Sequence, residues 1–186
     1  YELNRDSVQN RLFEHLAAQR RINIENYFWS DSLGFFFDYN FEKQTKHLTY
    51  TLAGIFPLFT KVADSVQANQ VAKKIRQLFL KPGGVTTTLY ESGEQWDYPN
   101  GWAPLQWVTI TGLRNYGYLT LADTIKQRWM NLNKSYFDKY HKLIEKYNVV
   151  DTLLKPRDGE YPTQDGFGWT NGVYMNLRLN PNPEGY

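Results

Sequence analysis

Residues 92–107 read Ser-Gly-Glu-Gln-Trp-Asp-Tyr-Pro-Asn-Gly-Trp-Ala-Pro-Leu-Gln-Trp, and residues 159–173 read Gly-Glu-Tyr-Pro-Thr-Gln-Asp-Gly-Phe-Gly-Trp-Thr-Asn-Gly-Val. Each stretch mixes carboxylates, amides and tryptophan with turn-forming Gly and Pro. Flat rings suit the faces of a sugar, and short polar side chains suit its hydroxyls. Trp96, Asp97 and Trp102 are the informative residues of the first stretch, and Glu160 of the second. Pro99, Gly101 and Pro104 set backbone turns. Both tryptophans fit equally well as packing that fastens the loop to its scaffold. Asp97 fits either a polar ligand contact in or just behind a pocket, or a turn cap. Gln164 and Asp165 read as local supports of the second loop.

Helices must hold these loops. Between Asp6 and Phe28 the apolar residues Val8, Leu12, Phe13, Leu16 and Ile24 recur at helical spacing. The aromatic stretch Phe35 to Phe41 predicts a short hairpin. Leu48 to Val62 predicts a helix bent or begun near Pro57. Ala68, Val71, Ala72, Ile75, Leu78 and Phe79 form a clean stripe that Pro82-Gly-Gly84 stops. Leu105 to Tyr116 predicts another helix, ended by Gly117. A long helix then carries Ala122, Ile125, Trp129, Leu132, Tyr136 and Leu143 towards an end near Tyr147, which places Glu145 on its last turn. Residues 151–172 predict a loop, and Val173 to Leu179 a final helical turn. The fold class expected is all-α, with antiparallel helices joined by two long loops; loops of that length in a compact domain commonly bind something.

Composition narrows the function. At 186 residues the chain is about one domain long. Aromatic residues reach 17%, and 21 basic residues against 19 acidic ones leave a formal charge of +2, too small to favour a nucleic-acid partner. The absence of cysteine excludes disulfides and thiolate chemistry. His15, His47 and His141 share no ligand spacing, so no metal site is expected. No apolar run reaches the ~20 residues of a membrane helix. The sequence opens on Tyr1 without a signal pattern, which reads as a cut end.

The first loop resembles the Gln-Trp-Asp-x-Pro-x-Gly-Trp-x-Pro motif of the trehalases, inverting glycoside hydrolases that split α,α-trehalose into two glucoses. Residues 159–173 resemble the segment near the C-terminus of the same enzymes. Lys142-Leu-Ile-Glu-Lys-Tyr-Asn148 matches a third segment in the same order. The resemblance implies the C-terminal portion of an (α/α)6 barrel as one domain over residues 1–186, with the N-terminal half of that domain as its natural partner. It implies Glu145 as the general base, and Glu160 with Trp96, Asp97 and Trp102 as sugar-binding residues. It implies no metal and no organic cofactor, trehalose and glucose as ligands, and a soluble enzyme, with the periplasm preferred over the cytoplasm.

Two departures stand out. The family's general acid is an Asp in a Gly-Trp-Asp motif that does not occur here, so the acid is expected upstream and this chain alone is expected to be inactive. Many relatives carry a glycine run before the second loop that suits a mobile lid, where this chain has Leu153-Leu-Lys-Pro-Arg-Asp-Gly159. The competing expectations are a sugar-binding barrel remnant without turnover, and a related glucosidase with another substrate.

Overall fold

The computed structural model describes residues 7–180. Helices dominate: α1 (Ser7–Phe28), α2 (Phe56–Phe59), α3 (Ser65–Lys74), α4 (Ala103–Asn115), α5 (Leu119–Tyr140) and α6 (Gly168–Leu179). A 3-10 turn over Leu52–Ile55 leads into α2, where Pro57 fits an early helical position because its missing N–H has no partner to lose there. Asp64 caps α3 by accepting the Gln67 amide at 2.7 Å, and the Gln67 side chain accepts the Asp64 amide in turn at 3.0 Å. The α3 stripe is real: Ala68, Val71, Ala72, Ile75 and Phe79 are buried, the last two in a π-helical turn that extends the helix.

The centre of the molecule is α4, which packs against α2, α5 and α6. Its Leu105, Val108, Ile110 and Leu113 lie in the core, and so do the polar Gln106, Thr109 and Thr111. Burying a polar side chain is costly unless it is bonded, and two of these are. Gln106 accepts the Val85 amide at 2.9 Å and donates to the Val85 carbonyl at 2.7 Å. Thr109 donates to the Leu105 carbonyl at 2.7 Å.

The all-α expectation is amended by four two-stranded antiparallel sheets among the described residues. They pair β1 (Trp29–Ser30) with β2 (Phe35–Phe36), β3 (Asp38–Asn40) with β4 (Thr45–His47), β5 (Leu80–Lys81) with β6 (Gly84–Val85), and β7 (Asn100–Trp102) with β8 (Lys146–Asn148). The aromatic stretch thus contributes to two hairpins, and the last of the four pairs brings distant segments together.

Three further details differ from the sequence reading. The long helix stops at Tyr140, where His141 turns left-handed at φ 54°, so Glu145 lies beyond it on the approach to β8. Helix α6 begins at Gly168, ahead of the Val173 expected from spacing. On α1 the apolar residues Val8, Leu12, Phe13 and Leu16 are exposed, and only Ile24 of that stripe is half-buried. No described helix is long and apolar enough to cross a membrane.

Candidate active site

The pairing of β7 with β8 builds the site. Asn100 lies opposite Asn148, Gly101 opposite Tyr147 and Trp102 opposite Lys146, which sets the first loop beside the segment that carries Glu145. Gly101 allows the approach: a Cβ there would come within 2.5 Å of Val149 Cγ1 and 2.9 Å of the Val85 carbonyl oxygen. Tyr147 anchors β8 to α5, its ring edge-on to Trp129 at 5.3 Å and to Tyr136 at 5.4 Å. Its hydroxyl accepts the Ile144 amide at 3.1 Å, and burial pushes that phenol well above the usual tyrosine range. Glu145 therefore stands on a braced segment, two residues before this anchor.

Only 1% of Glu145 is exposed. Its amide donates to the Gln164 carbonyl at 2.9 Å, and its own carbonyl accepts from Trp169 Nε1 at 3.3 Å and the Thr170 hydroxyl at 3.4 Å. The backbone is thereby gripped by the second loop and the first turn of α6. In the side chain, Oε1 accepts the Tyr161 hydroxyl at 3.0 Å, whereas Oε2 is buried with no hydrogen-bond partner. A buried carboxylate oxygen left unpaired is unfavourable and calls for a donor.

Lys146, next in sequence, is fully buried. Its ammonium donates to Gln95 Oε1 and lies 5.4 Å from the Trp102 ring centroid and 5.8 Å from that of Tyr161. Burial pushes it below the usual lysine range, against the pull of the Glu145 and Asp158 carboxylates. The bond to Glu145, aided by burial and by the carboxylate charge, moves the Tyr161 hydroxyl up, so the phenol stays a donor.

Gln95 joins the two loops. Besides Lys146, its Oε1 accepts the Gly159 amide at 2.9 Å, and its Nε2 donates to the Tyr161 carbonyl at 2.9 Å. Gly159 has room for no Cβ, which would meet Gln95 Oε1 at 2.7 Å and the Gln95 amide nitrogen at 2.8 Å. A second tie runs through Asn100, whose side chain donates to the Arg157 carbonyl at 2.8 Å and accepts the Arg157 amide at 3.0 Å. The Arg157 guanidinium also pairs with Glu91.

The expected site residues fall into different positions. Trp96 lies flat on Trp102, centroids 4.0 Å and planes 7° apart, and both meet the edge of Trp169. Trp96 is the outer ring, 41% exposed, and Trp102 the inner one at 0%. Asp97 is 2% exposed, and its carboxylate is occupied within its own loop. It accepts the Thr88 hydroxyl at 2.8 Å, the Tyr98 and Gly93 amides at 3.0 Å, and the Ser92 amide. Burial opposes its ionised form, but these donors outweigh that and hold the carboxyl below the usual aspartate range. Glu160 is exposed, next in sequence to Tyr161. Asp165 pairs with Lys142 at 2.6 Å, and the backbone of Gln164 supports Glu145, so both steady the second loop.

Lys146, Gln95, Asn100 and Tyr161 were not among the expected site residues. All four lie within the matched segments, and that membership was the signal that could have found them. No cluster of three or more metal-ligating side chains occurs among the described residues.

The family model described as Trehalase matches residues 2–180. The chain is similar in structure to neutral trehalase Nth1 from Saccharomyces cerevisiae, with 32% identity and a TM-score of 0.74 over 87% of this chain. It spans 29% of that protein's length. A mannosylglycerate hydrolase of family GH63 from Thermus thermophilus, solved with Tris and D-glycerate, has a TM-score of 0.72 at 20% identity, covering 89% of this chain and 38% of the other. An uncharacterized conserved protein from the same organism has a TM-score of 0.69 at 21% identity over 85% of this chain and 39% of its own. At these lower identities the likeness is one of fold.

Proposed function

The chain belongs to the trehalase family, and on that footing we propose that it is the base-bearing part of a glycoside hydrolase that splits α,α-trehalose into two glucoses with inversion. Its helices then form the C-terminal portion of an (α/α)6 barrel, within a single domain whose remaining part lies outside this chain. The observation that carries the reading is the buried Glu145 side chain, on the approach to the strand that pairs with the first loop, with one oxygen held by Tyr161 of the second loop and the other without a partner.

In this reaction a water attacks the anomeric carbon as the glycosidic C–O bond breaks. Glu145 takes the water's proton, and a second carboxyl group protonates the leaving oxygen. An inverting pair is separated by ~6.5–9.5 Å, enough to admit that water. Asp97 is not that second group, because its oxygens already accept donors within its own loop. We place the general acid in the rest of the domain. Trp96 offers its exposed ring to the sugar with Trp102 bracing it from behind, Asp97 keeps the loop in shape, and the exposed Glu160 accepts sugar hydroxyls. No metal or organic cofactor has a role in this chemistry.

Glucose release from trehalose by the full-length protein, with and without Glu145→Gln, tests the proposal. A base that can no longer accept a proton should lower kcat by about a hundredfold or more. Wild-type turnover in the variant would refute it, and so would trehalose hydrolysis by the 186-residue chain alone. A panel of other glucosides separates trehalose from a related substrate.

A further inference from the structure

The Glu145 carboxyl group is not symmetric in its surroundings. Oε1 accepts the Tyr161 hydroxyl at 3.0 Å, and Oε2 is buried without a partner. Tyr161 is itself pinned at two further points. Its carbonyl accepts from Gln95 Nε2 at 2.9 Å, and its ring faces the Lys146 ammonium at 5.8 Å. The phenol therefore approaches the carboxylate from a fixed direction, and it is 36% exposed, so it is part of the wall and not of the core.

We propose that Tyr161 is a positioning residue whose hydroxyl fixes the rotation of the Glu145 carboxylate, and so the direction in which that group presents its lone pairs to the attacking water. The inference rests on the reading of Glu145 as the general base. The physical reason is orientation. A carboxylate free to turn about its last bond presents a lone pair to the water only part of the time, and holding it in the reactive geometry raises the rate without changing how tightly the sugar binds. Because Tyr161 acts through Glu145, its loss should fall on kcat.

The test is Tyr161→Phe in the full-length protein, assayed with trehalose beside Glu145→Gln. Phe keeps the ring and removes the hydroxyl alone, so the fold should persist, with a drop in melting temperature no larger than one orphaned buried acceptor costs. The expected result is a kcat lower by about tenfold to a hundredfold, the range of a hydrogen bond to a charged group, with KM within about twofold. An inert Glu145→Gln with a wild-type kcat in Tyr161→Phe overturns this inference and leaves the base assignment standing. A Tyr161→Phe variant that raises KM at unchanged kcat also overturns it, since the hydroxyl would then serve the sugar directly. An active Glu145→Gln overturns both.

Discussion

Trp96 and Trp102 stack almost parallel, with ring centroids 4.0 Å apart, and divide a pair of identical side chains into an exposed member and a buried one. The two substitutions to alanine should therefore fail in different ways. Trp96→Ala removes the outer ring and, at about 1.4 kcal/mol of stacking, raises KM for trehalose about tenfold. Trp102→Ala opens a cavity in the wall and costs about 3–5 kcal/mol of stability. Kinetics and denaturant melts on both variants check this; equal loss of stability from the two would show that the outer ring is packing as well.

Lys146 should cost stability while serving activity. Its ammonium is buried with no ion pair at hydrogen-bond range, and burial lowers its proton affinity. The penalty is fully present below the folded-state pKa and disappears as pH rises towards the unfolded value of about 10.4. Lys146→Met leaves no orphan behind, because Gln95 Oε1 keeps the Gly159 amide. The variant should melt no lower than the wild type at neutral pH, its advantage shrinking in alkaline buffer. Its kcat should fall about tenfold as Tyr161 and Gln95 lose a shared contact. A fully active, unchanged variant would remove Lys146 from the site's machinery.

Asp97 also makes stability rise with pH, but its gap between wild type and variant closes at the acid end. A carboxyl held below its ordinary value stabilises the fold above the unfolded pKa of about 3.9, and that contribution is lost as pH falls through the folded value. Asp97→Asn sets an amide donor against the Ser92 and Gly93 amides, which should cost about 2 kcal/mol at neutral pH. The gap between wild type and variant should close in acid. Melts across a pH series decide it, and a gap that ignores pH would contradict the assignment.

The two tryptophan-bearing loops could be read from residue types alone, because rings, amides and carboxylates announce their chemistry wherever they fold. The end of the long helix could not. Leu143 and Tyr147 continue the apolar spacing of α5 because Tyr147 packs on the same helix from β8. The break between them and the helix is His141 in a left-handed turn, with no glycine to mark it. The three-residue pairing of β7 with β8 is too short to show alternation. The bridging role of Gln95 depends on Gly159, 64 positions away, arriving at its side chain. Burial of the α1 stripe was the natural expectation from periodicity, which records only that a helix has an apolar side, not that these 186 residues cover it.

The ties from Asn100 to Arg157 and from Gln95 to Gly159 fasten the second loop at two points separated by a single residue, Asp158. The stretch just before them, Asp151 to Lys155, is exposed throughout. Length can thus be added or removed upstream of the fastening while Tyr161 downstream keeps its hydrogen bond to Glu145. An engineer who wishes to graft a new recognition element beside the two loops has a natural splice site there, insulated from the machinery it would flank.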